Sequence, residues 1–137
     1  MKNPNRLLGE TLQQPLLKST LTLIARFLLA LIFILAGWGK ISAYAATEGY
    51  MHAMGVPSDL LPLVILLELG GGLSLLLGFQ TRFVSALLAV FCVLTGFIFH
   101  SGSDQINQMM MLKNISMAGG FIALMLLGAG RFSIDRS

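Results

Sequence analysis

Four long apolar segments, separated by short polar breaks, set the pattern of this chain. They run from about Leu21 to Gly37, Leu60 to Phe79, Phe83 to Phe99 and Ile115 to Gly128. Each is close to the ~20 residues that a helix needs to cross a hydrocarbon core about 30 Å thick. The apolar positions are continuous and do not alternate with period two, which argues for helices and against a β-barrel. The pattern predicts an all-α, polytopic membrane protein, a four-transmembrane-helix bundle with spans at about 21–40, 60–79, 83–100 and 113–129. Residues 1–19, polar and mixed with Pro4 and Pro15, read as a cytoplasmic lead-in, and 20–137 as one membrane domain.

The breaks carry their own signals. Trp38 and Tyr44 suit the outer interface, where amphipathic rings settle. Residues 45–59 form the longest outer connection, with a turn at Gly55-Val56-Pro57-Ser58, and read as a lid over the bundle. Gln80-Thr81-Arg82 is a tight inner turn, and Ser101 to Gln108 a short outer loop. Gly70, Gly71, Gly72, Gly119 and Gly120 are expected where helices dock closely, within the bundle, against a partner or against a second copy of the chain. An internal echo pairs Arg26-Phe27-x-x-Ala30-Leu31 with Arg82-Phe83-x-x-Ala86-Leu87, which suggests a duplicated helical hairpin with Arg26 and Arg82 at the inner interface.

Charge fixes orientation. Only 11% of the 137 residues are charged, against about 25% in a typical soluble domain. The net charge of +3 points to lipid rather than nucleic acid, because the cations flank the spans. Lys2, Arg6, Lys18, Arg82, Arg131 and Arg136 fall on one side, Lys40 and Lys113 on the other, so both termini are expected in the cytoplasm. The single cysteine, Cys92, rules out an internal disulfide and reads as a small core residue. Ala43-Tyr44-Ala45 resembles a signal-peptide cleavage site, but cutting there would remove about 45 residues against the usual 15–30, so the first segment reads as a retained span.

Depth places the remaining charges. Lys40 follows Arg26 by fourteen residues, and Glu68 precedes Arg82 by fourteen. At 1.5 Å per residue both lie roughly 21 Å above the inner arginines. On the same arithmetic His100 and Lys113 lie at about 27 Å, with Asn114 just below. Ionisable groups inside a membrane are costly and mark functional sites by default, and pairing Lys40 with Glu68 relieves the cost. Three readings stand. The pair is a structural ion pair; or the five side chains line a small polar pocket opening outward, roofed by Tyr44–Met54 and lined by Trp38; or the first span ends early and leaves Lys40 in outer water.

Ala36-Gly37-Trp38-Gly39-Lys40, Gly55-Val56-Pro57, Leu66-Leu67-Glu68-Leu69-Gly70-Gly71-Gly72, Gly78-Phe79-Gln80-Thr81-Arg82 and Lys113-Asn114 before Gly119-Gly120 together resemble the DoxX family over about Leu23 to Asp135. The resemblance implies a small four-helix protein of the bacterial inner membrane, described as an oxidoreductase or a quinol-oxidase-associated subunit, with some members linked to quinone and thiol stress. Arg26, Lys40, Glu68, Arg82, Lys113 and Asn114 fall on its pattern.

Redox chemistry needs a cofactor, a redox-active side chain or a redox substrate. His52 in a loop and His100 at a span end do not make a bis-His haem site, and Met109-Met110-Met111 reads as apolar filling rather than a copper site. No intrinsic haem or metal is expected. A quinone, lipid-soluble and entering from the bilayer, is the best remaining substrate. Lys40 or Lys113 would donate to its carbonyl and stabilise developing negative charge. Glu68 would keep Lys40 charged and relay a proton, and His100 would pass protons from outside, as an imidazole, with an unperturbed pKa of about 6.5, is suited to do. Trp38 or Tyr44 would stack on the ring, Asn114 would add a polar contact, and electrons would come from a redox partner protein. The rival expectation is a non-enzymatic membrane module that handles a small solute or lipid, or an assembly subunit of a larger membrane complex.

Overall fold

The computed structural model describes residues 3–136, so Lys2 of the inner-face count lies outside the described residues. Four helical segments are long and apolar enough to cross a membrane: Pro15–Ser42, Ser58–Leu77, Thr81–Phe99 and Gln105–Leu127. A short helix, α1 (Pro4–Leu12), precedes them, opened by the Asn3 side chain accepting the Asn5 N–H at 3.0 Å.

Two spans begin earlier than hydropathy indicates. The first, α2 (Pro15–Ser42), starts at a proline, whose fixed φ and missing N–H suit a first turn. The hydroxyls of Ser19, Thr20 and Thr22 donate to carbonyls one turn back at 2.7–2.8 Å, so these polar residues extend the helix without needing water. The last span, α7 (Gln105–Leu127), starts inside the expected outer loop, where Asp104 accepts the Asn107 N–H at 3.2 Å as its N-cap. The outer connection is itself helical, α3 (Tyr44–Ala53), and leads through a single 3₁₀ turn (Ser58–Leu60) into the second span. That span is not uniform. A π turn, Leu66–Gly70, separates α4 (Leu61–Ile65) from α5 (Gly71–Leu77), and Glu68 stands at its centre.

The spans pack as a ring in chain order. α2 lies against α5, the π turn and α7, while α6 (Thr81–Phe99) lies against α5 and α7. Ala30, Phe33, Leu75, Leu88, Phe121 and Leu124 fill the middle. Small residues set the closest approach, though not all of the expected ones. A Cβ on Gly37 would come within 2.9 Å of the Cβ and backbone N of Leu69, and one on Gly72 within 2.8 Å of Ile34. Gly71 faces Leu88 and Gly120 faces Leu29. Gly119 meets nothing within 4 Å, and Gly70 touches only Leu66, one turn away on its own span. Within the bundle the close approaches fall at Gly37, Gly71, Gly72 and Gly120, while Gly70 and Gly119 face away from the neighbouring helices.

The inner end is closed by arginines. Arg26 is fully buried and donates to the carbonyls of Leu75, Leu76 and Phe132. Arg82, exposed, donates to the carbonyls of Met125 and Leu126, both at 2.7 Å. Each arginine thus caps the C-terminal carbonyls of the span that follows its own, groups that a helix end leaves unpaired. Spans two and four both stop at a glycine of positive φ, Gly78 at 69° and Gly128 at 81°. The segment after α7 folds back over this end. The Ile134 and Asp135 N–H groups donate to Leu77 and Gly78 carbonyls at 3.1 and 2.9 Å, and the Asp135 carboxylate accepts the N–H groups of Gln80 and Thr81 at 2.9 and 2.8 Å. Burial pushes the Asp135 carboxyl up, but those two amides and the Arg26 charge prevail and hold it below the usual carboxylate range.

Candidate functional site

Toward the other end the ring opens. α5 packs on α6, whereas α4 stays with α2, and the gap between α4 and α6 becomes a cavity of about 390 Å³. α3 roofs it with Thr47, Tyr50 and Met51, and Tyr50 stacks on Phe99 of α6 with ring centroids 5.5 Å apart. Phe33, Phe91, Val64 and Met117 supply apolar wall. Such a cavity, mostly apolar with a few convergent polar groups, has the character of a small-molecule site.

Helical spacing explains which side chains reach it. Phe33, Ala36 and Lys40 recur at i, i+3 and i+7 on α2; Cys92, Thr95 and Phe99 do so on α6; Lys113, Asn114 and Met117 share one face of α7. The close contact of Gly37 with Leu69 brings α2 against the π turn, and Lys40 meets Glu68 there. The ammonium lies 2.9 Å from Oε2 and 3.2 Å from Oε1, and only the Oε1 contact has hydrogen-bond geometry. Glu68 is nearly buried, with 8% of its side chain exposed, while Lys40 keeps 28%. Both carboxylate oxygens thus lie within ion-pair distance of the ammonium at the cavity wall.

His100 lines the cavity and is oriented from outside. Asp104 accepts the Asn107 side-chain N–H at 2.6 Å, which turns the Asn107 carbonyl oxygen toward His100 Nδ1 at 3.3 Å. The proton of neutral His100 then sits on Nδ1 and leaves Nε2 as its free lone pair. The Asn107 side chain and backbone N–H hold the Asp104 carboxyl below its ordinary range. Lys113, on the exposed side, places Nζ 3.4 Å from the Met110 sulfur.

The structure thus gathers Lys40, Glu68, His100, Lys113 and Asn114 on one cavity, and leaves Trp38 and Tyr44 off it. Trp38 is 63% exposed because it stands two residues, about 200°, round the helix from Lys40. Tyr44 sits beyond the break at Ala43, where α2 gives way to α3, and is 38% exposed. Aromatic cover comes instead from Tyr50 and Phe99. Asn114 lines the wall with its amide already engaged, donating to the Cys92 carbonyl at 3.1 Å and to Thr95 Oγ1 at 3.2 Å. Asp104 and Asn107 were missed in the sequence. The Asp-x-x-Asn spacing of a helix N-cap three residues before Asn107 was the signal that could have found them.

A ring of four spans that opens toward one end into a largely apolar cavity defines a small helical membrane protein. The DoxX family model matches residues 21–101, and the chain belongs to the DoxX family. It is 53% identical over 115 residues to the inner membrane protein YqjF of Escherichia coli (strain K12), covering 83% of this chain and 88% of that protein. It is 33% identical over 127 residues to the inner membrane protein YphA of the same organism, covering 87% and 91%. No solved structure matches. The protein is a multi-pass inner-membrane protein.

Proposed function

We propose that the outer cavity binds a quinone or quinol and that the protein is a component of a quinone-linked oxidoreductase. The observation that carries this reading is the Lys40–Glu68 pair set in the wall of a cavity that is otherwise largely apolar. A quinone ring needs apolar walls for its faces and polar groups for its two carbonyls. Reduction adds two electrons and two protons, so negative charge grows on the carbonyl oxygens as electrons arrive. Lys40 Nζ donates to one oxygen and offsets that charge, while Glu68 holds the ammonium in place. His100 Nε2 faces the second role, taking a proton from quinol or, once protonated, giving one to quinone. The Asp104–Asn107 bridge keeps the imidazole in the orientation for this exchange. Lys113 adds a second donor at the rim, and the Tyr50–Phe99 stack covers the ring. Electrons are exchanged with a redox partner protein.

A second reading rests on the same wall. Its apolar extent also suits a small solute or a lipid chain handled without chemistry. Protein purified in a neutral detergent and titrated with a short-chain ubiquinone separates the two. Binding that weakens about tenfold in Lys40→Met, a loss of about 1.4 kcal/mol, supports the quinone reading. Equal affinity in wild type and Lys40→Met, with co-purified lipid in place of quinone, would falsify it.

A further inference from the structure

A second cleft, of about 330 Å³, lies at the inner end and is bordered by Lys18, Arg131 and Arg136. The three cations reach it from distant parts of the chain, the first turn of α2 and the segment after α7. Gly130 brings the latter in. Its φ of 79° turns the chain, and a Cβ there would lie 3.3 Å from Thr22, so the backbone rests directly on α2 and sets Arg131 beside Lys18. The Arg136 N–H donates to Ser133 Oγ at 2.9 Å, which holds the last arginine over the same opening. Among the described residues no carboxylate side chain borders the cleft, and the ion pairs are Arg6–Glu10 and Lys40–Glu68. The hydroxyls of Ser19 and Thr22 are spent on α2 carbonyls, so the cleft's free donors are the cations and the Gln13 carboxamide.

We infer that this cleft binds the phosphate of an anionic phospholipid headgroup. Its depth fits. Lys18 lies eight residues, about 12 Å of helix, on the inner side of Arg26, toward the inner headgroup layer. Its surroundings fit as well. Leu127 borders the cleft, and Leu126 next to it in the last turn of α7 is 71% exposed, an apolar surface for an acyl chain on the membrane side of the charge. α1 ends just before Gln13, which borders the cleft, and exposes Leu7 and Leu8 as an interfacial helix does. Basic clefts at the cytoplasmic ends of membrane helices take anionic headgroups, with each cation contributing comparably. A solvated basic rim that only sets topology would not need the convergence of the two chain segments on one cleft.

The test is a thermal-unfolding series on the full chain in neutral detergent at 150 mM salt. The additives are phosphatidylglycerol, phosphatidylcholine with the same acyl chains, and inorganic phosphate. Phosphatidylglycerol should raise the midpoint at concentrations where phosphatidylcholine does not, and Lys18→Gln/Arg131→Gln should need on the order of twentyfold more for the same shift. Both residues are exposed, and the double variant should match the wild-type midpoint without additive. An equal shift with inorganic phosphate, lost in the double variant, supports the phosphate site and assigns it a soluble ligand. No preference for phosphatidylglycerol over phosphatidylcholine, or a shift that survives in the double variant, overturns the inference.

Discussion

Arg26 and Lys40 are charges carried on the same helix, α2, and drawn into the same bundle, yet they are satisfied in different ways. Arg26 is wholly enclosed and its partners are backbone carbonyls at the ends of other segments. Lys40 is partly open, and its partner is a carboxylate on a π turn. Carbonyl caps are geometry-bound and tie three segments together, as a structural fastener should. An ion pair beside a cavity leaves a partly exposed ammonium within reach of a guest. The difference teaches that the inner end is built to hold and the outer half to exchange.

Breaking the inner fastener should have the largest effect. Arg26→Met removes charged hydrogen bonds to carbonyls that cannot then reach water, and charged bonds are worth about 1.5–3 kcal/mol each. Unfolding measured in mixed micelles should show a loss of about 3 kcal/mol or more. Gly78→Ala attacks the same point from the other side, since its Cβ would strike both the Arg26 guanidinium and Ser133 at a backbone φ of 69°. A wild-type-like stability in both variants would mean that the carbonyl caps hold nothing together.

A pair of glycine substitutions sharpens the contrast next. Gly37→Ala forces Leu69 away and should cost about 1–3 kcal/mol, loosening the contact that brings Lys40 to Glu68. Gly39→Ala, two residues on, meets nothing within 4 Å, and should be neutral or stabilising by up to ~1 kcal/mol through helix propensity. If the two variants behave alike, close packing at Gly37 does not set the site.

Much of this was legible in the chain. The four spans, the inner-end placement of Arg26 and Arg82 and the meeting of Lys40 with Glu68 follow from hydropathy, charge and the rise of a helix. What escaped was azimuth and local departure from the helix. Trp38 shares the depth of the site but not its face, which a count of rise alone does not reveal. The π turn at Leu66–Gly70 shifts the facing of Glu68 and has no signature in composition. Span starts at Pro15 and Gln105 were hidden because hydropathy sees hydroxyls and amides as polar, whereas a helix satisfies them through its own carbonyls and caps. The inner cleft was invisible because its cations are separated by most of the chain.

The outer pair should respond less in stability and more in binding. Glu68→Met leaves the ammonium without its partner and should cost about 1–2 kcal/mol, reduced by the partial exposure of Lys40. The double variant Lys40→Met/Glu68→Met should recover that stability and still bind the short-chain quinone about tenfold more weakly than wild type. Recovery of both properties would show that the pair takes no part in binding and erase the contrast between the two ends.

The smallest effect is expected from acid. Asp135 is held below the usual carboxylate pKa of about 3.9. A depressed folded value means that the stabilisation is complete above the unfolded pKa and is lost as pH falls through the folded one. The tail that covers Arg26 should therefore loosen only below about pH 4, and Asp135→Asn should remove that part of the acid response while leaving the slope above pH 5 unchanged. Asp104 is held low as well, by the Asn107 side chain and backbone N–H at the opposite end, so wild type has an acid-sensitive carboxylate on each face. Asp104→Asn should free Asn107 and with it the orientation of His100, altering quinone binding near neutrality rather than the acid limb of unfolding. An acid limb that is the same in wild type and Asp135→Asn would show that the tail contributes nothing to closing the inner end.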